Sequence, residues 1–135
     1  MKEILEKFKM SNCNPVNTPI ATVMNLSREG NGDFVVSTFF KSLVGSLRYL
    51  AITRSDIVYG VGLVSRYMET PKESHWLAVK RILRYIKGTL NLDLCYAYGK
   101  TLELVGYSDS DCGGDQDERK NTTGYVFYLG STAFL

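Results

Sequence analysis

Residues 105–115 read V-G-Y-S-D-S-D-C-G-G-D, which places Asp109, Asp111 and Asp115 within seven positions. Carboxylates this close repel one another, hold a cation, or cap a turn. Asp109 and Asp111 are two apart, so on an extended strand both project to one face. A hard divalent ion such as magnesium takes several oxygen ligands in a near-octahedral arrangement. One or two aspartates on a strand do not complete that shell. Asp111, Asp115 and Asp117 read more simply as turn and solvent residues.

A second constellation is basic. Lys80, Arg84 and Lys87 recur at i, i+4 and i+7, with Lys72 and Arg81 flanking them. On a helix this is one stripe, and such a stripe can track a phosphate backbone. The plainer reading is a solvated face opposite an apolar stripe. Tyr85 beside it suits core-edge packing better than stacking on a base. His75 is the single histidine. No Cys, Asp or Glu stands at ligand spacing from it, so it reads as a helix-surface or packing residue. Gly113-Gly114 lacks the frame of a phosphate-binding loop. Cys112 has no paired base and does not read as a nucleophile.

The rest of the chain must position these groups. It has 135 residues, 44% hydrophobic and 22% charged, an ordinary globular composition for one domain or a piece of one. No secretory leader is evident, and no apolar run approaches the ~18 residues of a membrane span. Cys13, Cys95 and Cys112 are odd in number and far apart, which points to a reduced intracellular setting and away from zinc. The net charge of +2 hides an asymmetry. Residues 1–100 hold 14 Lys/Arg against 8 Asp/Glu, and residues 101–135 hold 2 against 6. A basic body facing nucleic acid and an acidic segment facing a cation would divide the labour this way.

Hydrophobic periodicity predicts a short helix over 2–10, with Ile4, Leu5 and Phe8 on one side. An Asn- and Pro-rich connector follows to residue 36, with turn signals at Glu29-Gly30-Asn31-Gly32. Phe40, Leu43, Leu47 and Leu50 predict a helix over 38–51. Ser55 would cap a third helix running to about Met68 through Ile57, Val61 and Val64. Thr70-Pro71-Lys72-Glu73 matches a capping box for a fourth, with Trp76, Val79, Leu83 and Ile86 as its stripe and Gly88 as its stop. Beyond residue 90 the period changes to two. Leu92, Leu94 and Tyr96 alternate, and 102–109 and 123–129 predict two more strands.

These strings together resemble a known family. E-I-L-E-K-F-K-M-S-N-C-N-P-V-N-T-P, K-S-L-V-G-S-L-R-Y-L-A-I-T-R-S-D-I, H-W-L-A-V-K-R-I-L-R-Y-I-K-G-T-L and G-Y-S-D-S-D-C-G-G-D followed by R-K-N-T-T-G-Y-V-F-Y-L-G stand in that order. In that order they resemble the Pol polyprotein of copia-type LTR retrotransposons over nearly the whole chain. The resemblance implies an α/β (α+β) chain. Residues 1–36 would be the end of a reverse transcriptase-like domain with its connector. Residues 37–100 would be a helical connection region, and 101–135 the first strands of an incomplete RNase H-like sheet. It implies that Asp109 is the first RNase H carboxylate and a remnant magnesium ligand.

Departures accompany the match. The family's polymerase carboxylates fall before residue 1 and its remaining RNase H acids after residue 135. Cys112-Gly113 stands where the family has Trp-Ala, and Ser55 where it has Pro. The final S-T-A-F-L is not expected to continue into the family's next strand. The expectation is therefore a truncated Pol fragment that is not itself an enzyme and needs no cofactor, although the parent uses magnesium. Weak contact with an RNA–DNA hybrid and self-association through exposed strands are the expected partnerships, with no membrane. The alternatives are a non-catalytic nucleic-acid-binding module using helix 72–87, or a split enzyme whose other acids come from another chain. Residues 101–135 are expected to aggregate or to be locally disordered, because strands without sheet partners leave open edges.

Overall fold

Among the described residues, stripes of apolar residues at helical spacing fold into four helices, and three further segments pair as strands. The computed structural model describes residues 1–21, 26–92, 103–110, 117, 123–130 and, for the backbone, 132–134. The chain divides into two compact units, Met1–Asn91 and Leu92–Leu135.

The first unit is helical. Helix α1 spans Lys2–Lys7, α2 Ser37–Ala51, α3 Val58–Ser65 and α4 Glu73–Gly88, with a 3₁₀ turn at Ser55–Ile57 between α2 and α3. Phe40, Leu43, Val44 and Leu47 of α2 meet Val61 and Val64 of α3 and Ala78, Val79, Ile82, Leu83 and Ile86 of α4 in one buried core. Leu5 and Phe8 close it from the N-terminal side. Each stripe is buried because neighbouring helices present theirs to the same space. Gly60 lets α3 pack closely there: a Cβ would come 3.0 Å from the Ile20 side chain, which would have to shift.

Three helix boundaries differ from those the sequence predicts. Helix α1 stops at Lys7 instead of residue 10. Lys9 takes a left-handed φ of 56°, and the N–H groups of Lys9 and Met10 turn back onto the Glu6 and Leu5 carbonyls. Helix α3 stops at Ser65, short of Met68, and Tyr67 turns inward so that its hydroxyl donates to the Leu26 carbonyl at 3.0 Å. Ser55 opens the 3₁₀ turn and makes no side-chain cap for α3.

The entry to α4 is also two residues later than Thr70 would set it. Lys72 is the N-cap, and its N–H donates to Nδ1 of His75 at 3.0 Å. Phe34 and Lys72 form an isolated antiparallel bridge. Around it, Val35 N–H donates to the Pro71 carbonyl and Glu73 N–H to the Asp33 carbonyl. The first turn of the helix is thus satisfied by a segment some forty residues upstream. Gly30 and Gly32 give that segment its turns, with φ of 45° and 86°.

The second unit contains an antiparallel meander, β1 (Leu104–Ser110), β2 (Thr123–Leu129) and β3 (Thr132–Phe134), in the order β1-β2-β3. Val105 pairs with Tyr128, Tyr107 with Val126 and Asp109 with Gly124. The third strand corrects the reading of S-T-A-F-L: Tyr128 pairs with Ala133 and Leu129 with Thr132. The tight turn at Gly130, φ 62°, reverses the chain and brings this segment back onto β2. The strand expected at Leu94 and Tyr96 lies outside the described residues. The chain is therefore α+β. Among the described residues no helix is long and apolar enough to cross a membrane.

Candidate functional site

Asp109 lies on β1, one residue from its end. Strand alternation puts it on the sheet face that also carries Val105 and Tyr107, and their partners Val126 and Tyr128 share that face. Those four residues and Gly130 line a shallow concavity. The Tyr107 and Tyr128 rings meet edge to face, with centroids 5.9 Å apart. The opposite face explains the glycine of G-Y-S-D. A Cβ on Gly106 would come 2.9 Å from the Phe127 ring, which lies across it.

Asp109 is exposed, and its Oδ1 accepts the N–H of Ser110 at 2.9 Å. One exposed carboxylate with an oxygen already engaged offers too few hard ligands for magnesium. Among the described residues no group of three or more His, Cys, Asp or Glu side chains is placed to hold a metal. Asp111, Asp115 and Cys112 lie outside the described residues. Asp117 is an exposed turn residue.

On α4, Lys80, Arg84 and Lys87 are all half-buried. Nε of Arg84 donates to the Asn14 carbonyl at 2.7 Å, and Nη2 of Arg81 donates to Thr18 Oγ1 at 2.9 Å. The 14–18 connector packs here, and a Cβ on Gly88 would come 3.0 Å from Pro15. Lys80 instead turns to Trp76, its Nζ 5.2 Å from the ring centroid. The stripe is therefore neither a bare cationic track nor a fully solvated face. Arg84 fastens the connector, and Lys80 belongs to an aromatic surface.

One node escaped the sequence reading, and a second, at His75, was read only as a helix-surface or packing residue. Arg54, in the break between α2 and α3, grips Asp56 through Nε–Oδ1 at 2.8 Å and Nη2–Oδ2 at 2.6 Å. Nη2 also donates to Thr89 Oγ1 at 2.7 Å, just past the end of α4. Its guanidinium lies 5.9 Å from the Tyr85 ring centroid, so Tyr85 serves this node and is not free to stack on a base. The Asp56 hydrogen bond outweighs desolvation and holds Arg54 above its ordinary value. Burial alone would raise Asp56, but hydrogen bonds from Arg54 and Tyr85 leave it below the usual carboxylate range. The opposite charges at i and i+2 in T-R-S-D were the available signal.

His75 is the second node. It is fully buried, stacked on Tyr67 with centroids 4.1 Å apart, and its Nε2 bonds the Ser27 carbonyl at 2.9 Å. With Nδ1 accepting from Lys72, the ring is a neutral, structural linker between the 26–36 segment and α4. Its place three residues after the N-cap was the signal.

The architecture is that of an α+β chain with a helical body and a separate antiparallel meander bearing one exposed carboxylate. Its relatives include Pol polyproteins of transposons. It is 41% identical over 128 residues to a retrovirus-related Pol polyprotein from transposon RE2 of Arabidopsis thaliana, covering 95% of this chain and 9% of that one. It is 44% identical over 135 residues to the Pol polyprotein from transposon TNT 1-94 of Nicotiana tabacum, covering 94% and 10%. An uncharacterized mitochondrial protein of Arabidopsis thaliana is 34% identical over 88 residues, 62% of this chain and 79% of that one. No family model matches the chain, and no solved structure matches it at a significant level. The chain belongs to the retrovirus-related Pol polyproteins of copia-type retrotransposons. It spans about a tenth of the length of the Pol relatives it matches.

Proposed function

We propose that this chain is the stretch of a copia-type Pol polyprotein that joins the reverse transcriptase-like part to the RNase H-like part, and that alone it carries out neither reaction. The parent activities would be RNA-directed DNA synthesis and cleavage of RNA in an RNA–DNA hybrid. The observation that carries the proposal is Asp109. It stands near the end of the first strand of an antiparallel meander, as an opening RNase H carboxylate would, and among the described residues it belongs to no group of three or more metal-ligating side chains. Two-metal hydrolysis needs ligands on both sides of the scissile phosphate. The test is cleavage of a labelled RNA–DNA hybrid by the purified chain in magnesium. No cleavage above background is expected. Cleavage that Asp109→Asn abolishes would overturn the proposal and establish a site completed by another chain or copy.

A second reading gives the helical unit a nucleic-acid-binding role. The excess of six positive charges over residues 1–100 favours it. Arg84 and Arg81 are turned to the connector, while Lys7, Lys72 and Lys80 are set beside aromatic rings.

A further inference from the structure

One surface of the helical unit repeats a single pairing. Lys7 Nζ lies 5.3 Å from the Phe8 ring centroid, Lys80 Nζ 5.2 Å from that of Trp76 and Lys72 Nζ 5.2 Å from that of Phe34. The rings of Phe8, Phe39 and Trp76 are contiguous. Phe8 meets Phe39 at 5.4 Å, and Phe39 meets Trp76 at 5.4 Å with planes tilted by 54°. Lys72, Trp76 and Lys80 recur every four residues, which places them on one side of α4. Phe8 is the buried base of the row, Trp76 is half-buried, and Phe39 and Phe34 are 44% and 75% exposed.

Core packing accounts for Phe8 and for part of Trp76, but not for the exposure of Phe39 and Phe34. Large exposed rings grouped on one side of a unit mark a contact surface more often than a solvated one. The ammonium groups beside Phe8, Trp76 and Phe34 make the partner an anion that also carries flat apolar groups. Unpaired nucleotides have both: each base offers a π-face to a ring and each phosphate an acceptor to a lysine. A duplex fits less well, because its bases are already stacked on one another. We propose that the row Lys7–Phe8–Phe39–Trp76–Lys80, extended by Lys72 and Phe34, binds single-stranded RNA or DNA. This deepens the nucleic-acid-binding reading above and rests on it, but moves the contact from Arg84 and Lys87 to the aromatic row.

Trp76 is the only tryptophan, so its fluorescence reports on the row directly. The whole chain would be titrated with oligo(U), oligo(dT) and an RNA–DNA hybrid, each of about eight nucleotides. Intrinsic fluorescence and the anisotropy of a labelled strand would be followed at several salt concentrations. Single strands are expected to quench Trp76 and to bind at least about fivefold more tightly than the hybrid. Phe34→Ala and Phe39→Ala should each weaken single-strand binding about fivefold or more. Lys72→Ala and Lys80→Ala should each reduce the salt slope by about 0.7, with Arg84→Ala silent. Phe34 is the more exposed ring, so Phe34→Ala keeps the test valid if Phe39→Ala unfolds. Equal binding of hybrid and strand with silent ring variants would overturn the inference and leave the charge-based reading standing. No binding of either would overturn both. Binding to phosphatidylserine vesicles but not to oligonucleotides would overturn it in favour of a lipid surface.

Discussion

The two units solve the burial problem differently. In the helical unit, sixteen apolar side chains form one buried cluster, and helix faces cover each other. In the meander, Val105 and Val126 are the most covered of the described side chains, and they are only half-buried, while Tyr107 and Tyr125 are 61% and 56% exposed on opposite faces. A helix needs only neighbouring helices to hide its stripe, and short connections supply them locally. A sheet needs a layer over its apolar face, which a three-stranded meander cannot supply for itself. The helical unit therefore has the means to fold alone, and the meander does not. The largest predicted contrast follows. Phe40→Ala should lower stability by about 3–5 kcal/mol in a denaturant titration, through lost burial and a residual cavity. Tyr107→Ala should cost under about 1 kcal/mol. Amide exchange should show α2 and α4 protected to near the global limit and β1 much less so. Equal costs at the two positions, or equal protection, would break the comparison.

The helical unit was also the more legible one. The stripes of α2 and α4 are local, so spacing alone located both helices to within a residue or two at most boundaries. What the sequence hid is nonlocal. Thr70 looks like the cap of α4, yet the Phe34–Lys72 bridge and the Asp33 carbonyl take over the first turn. Arg84 looks like a phosphate ligand, yet its partner is a carbonyl seventy residues earlier. In the meander the two strands over 102–109 and 123–129 were legible by alternation. The third was missed, because the turn at Gly130 reuses a segment that the family resemblance had set aside. For Asp109 the structure gives the strand and the exposure, while Asp111 and Asp115 lie outside the described residues and its role rests on the resemblance.

The next prediction sharpens the contrast at one residue. His75 ties the 26–36 segment to α4, so His75→Ala strands the Lys72 N–H and the Ser27 carbonyl and removes the ring stacked on Tyr67. Unsatisfied buried groups of this kind cost about 2–3 kcal/mol together. The denaturation midpoint should fall with little change in slope, and amides of residues 27–36 should exchange first. A variant as stable as the parent would show that this segment contributes nothing to the unit. A smaller loss is expected from Gly32→Ala. Gly32 has a φ of 86°, and its Cβ would come 2.6 Å from the Glu73 side chain. Glu73 can move, so the cost is mainly the left-handed backbone, about 1–2 kcal/mol. Gly124→Ala in the meander, where the nearest atom is a carbonyl oxygen 4.0 Å away, should be close to neutral.

The smallest effect separates the units by pH. Asp56 lies below its ordinary value of 3.8 because hydrogen bonds from Arg54 and Tyr85 outweigh the burial that opposes them. The folded state therefore binds that proton less readily than the unfolded chain. The resulting stability is fully present above the unfolded value, near pH 4, and is lost as pH falls through the lower folded value. The Asp56 side chain is more than a third exposed, so solvent screening keeps the contribution under about 1 kcal/mol. Tyr85 has the opposite sign: burial, with the Asp56 hydrogen bond, raises its phenol, and its share is lost only as pH rises beyond about 10. Asp56→Asn should thus be slightly less stable than the parent at pH 7 and should converge with it as pH falls through the lowered folded-state value. Tryptophan fluorescence follows the helical unit alone, because Trp76 lies on α4. If the variant and parent instead keep parallel acid slopes, the Arg54–Asp56 pair is a geometric clasp between α3 and the end of α4 and not an electrostatic one.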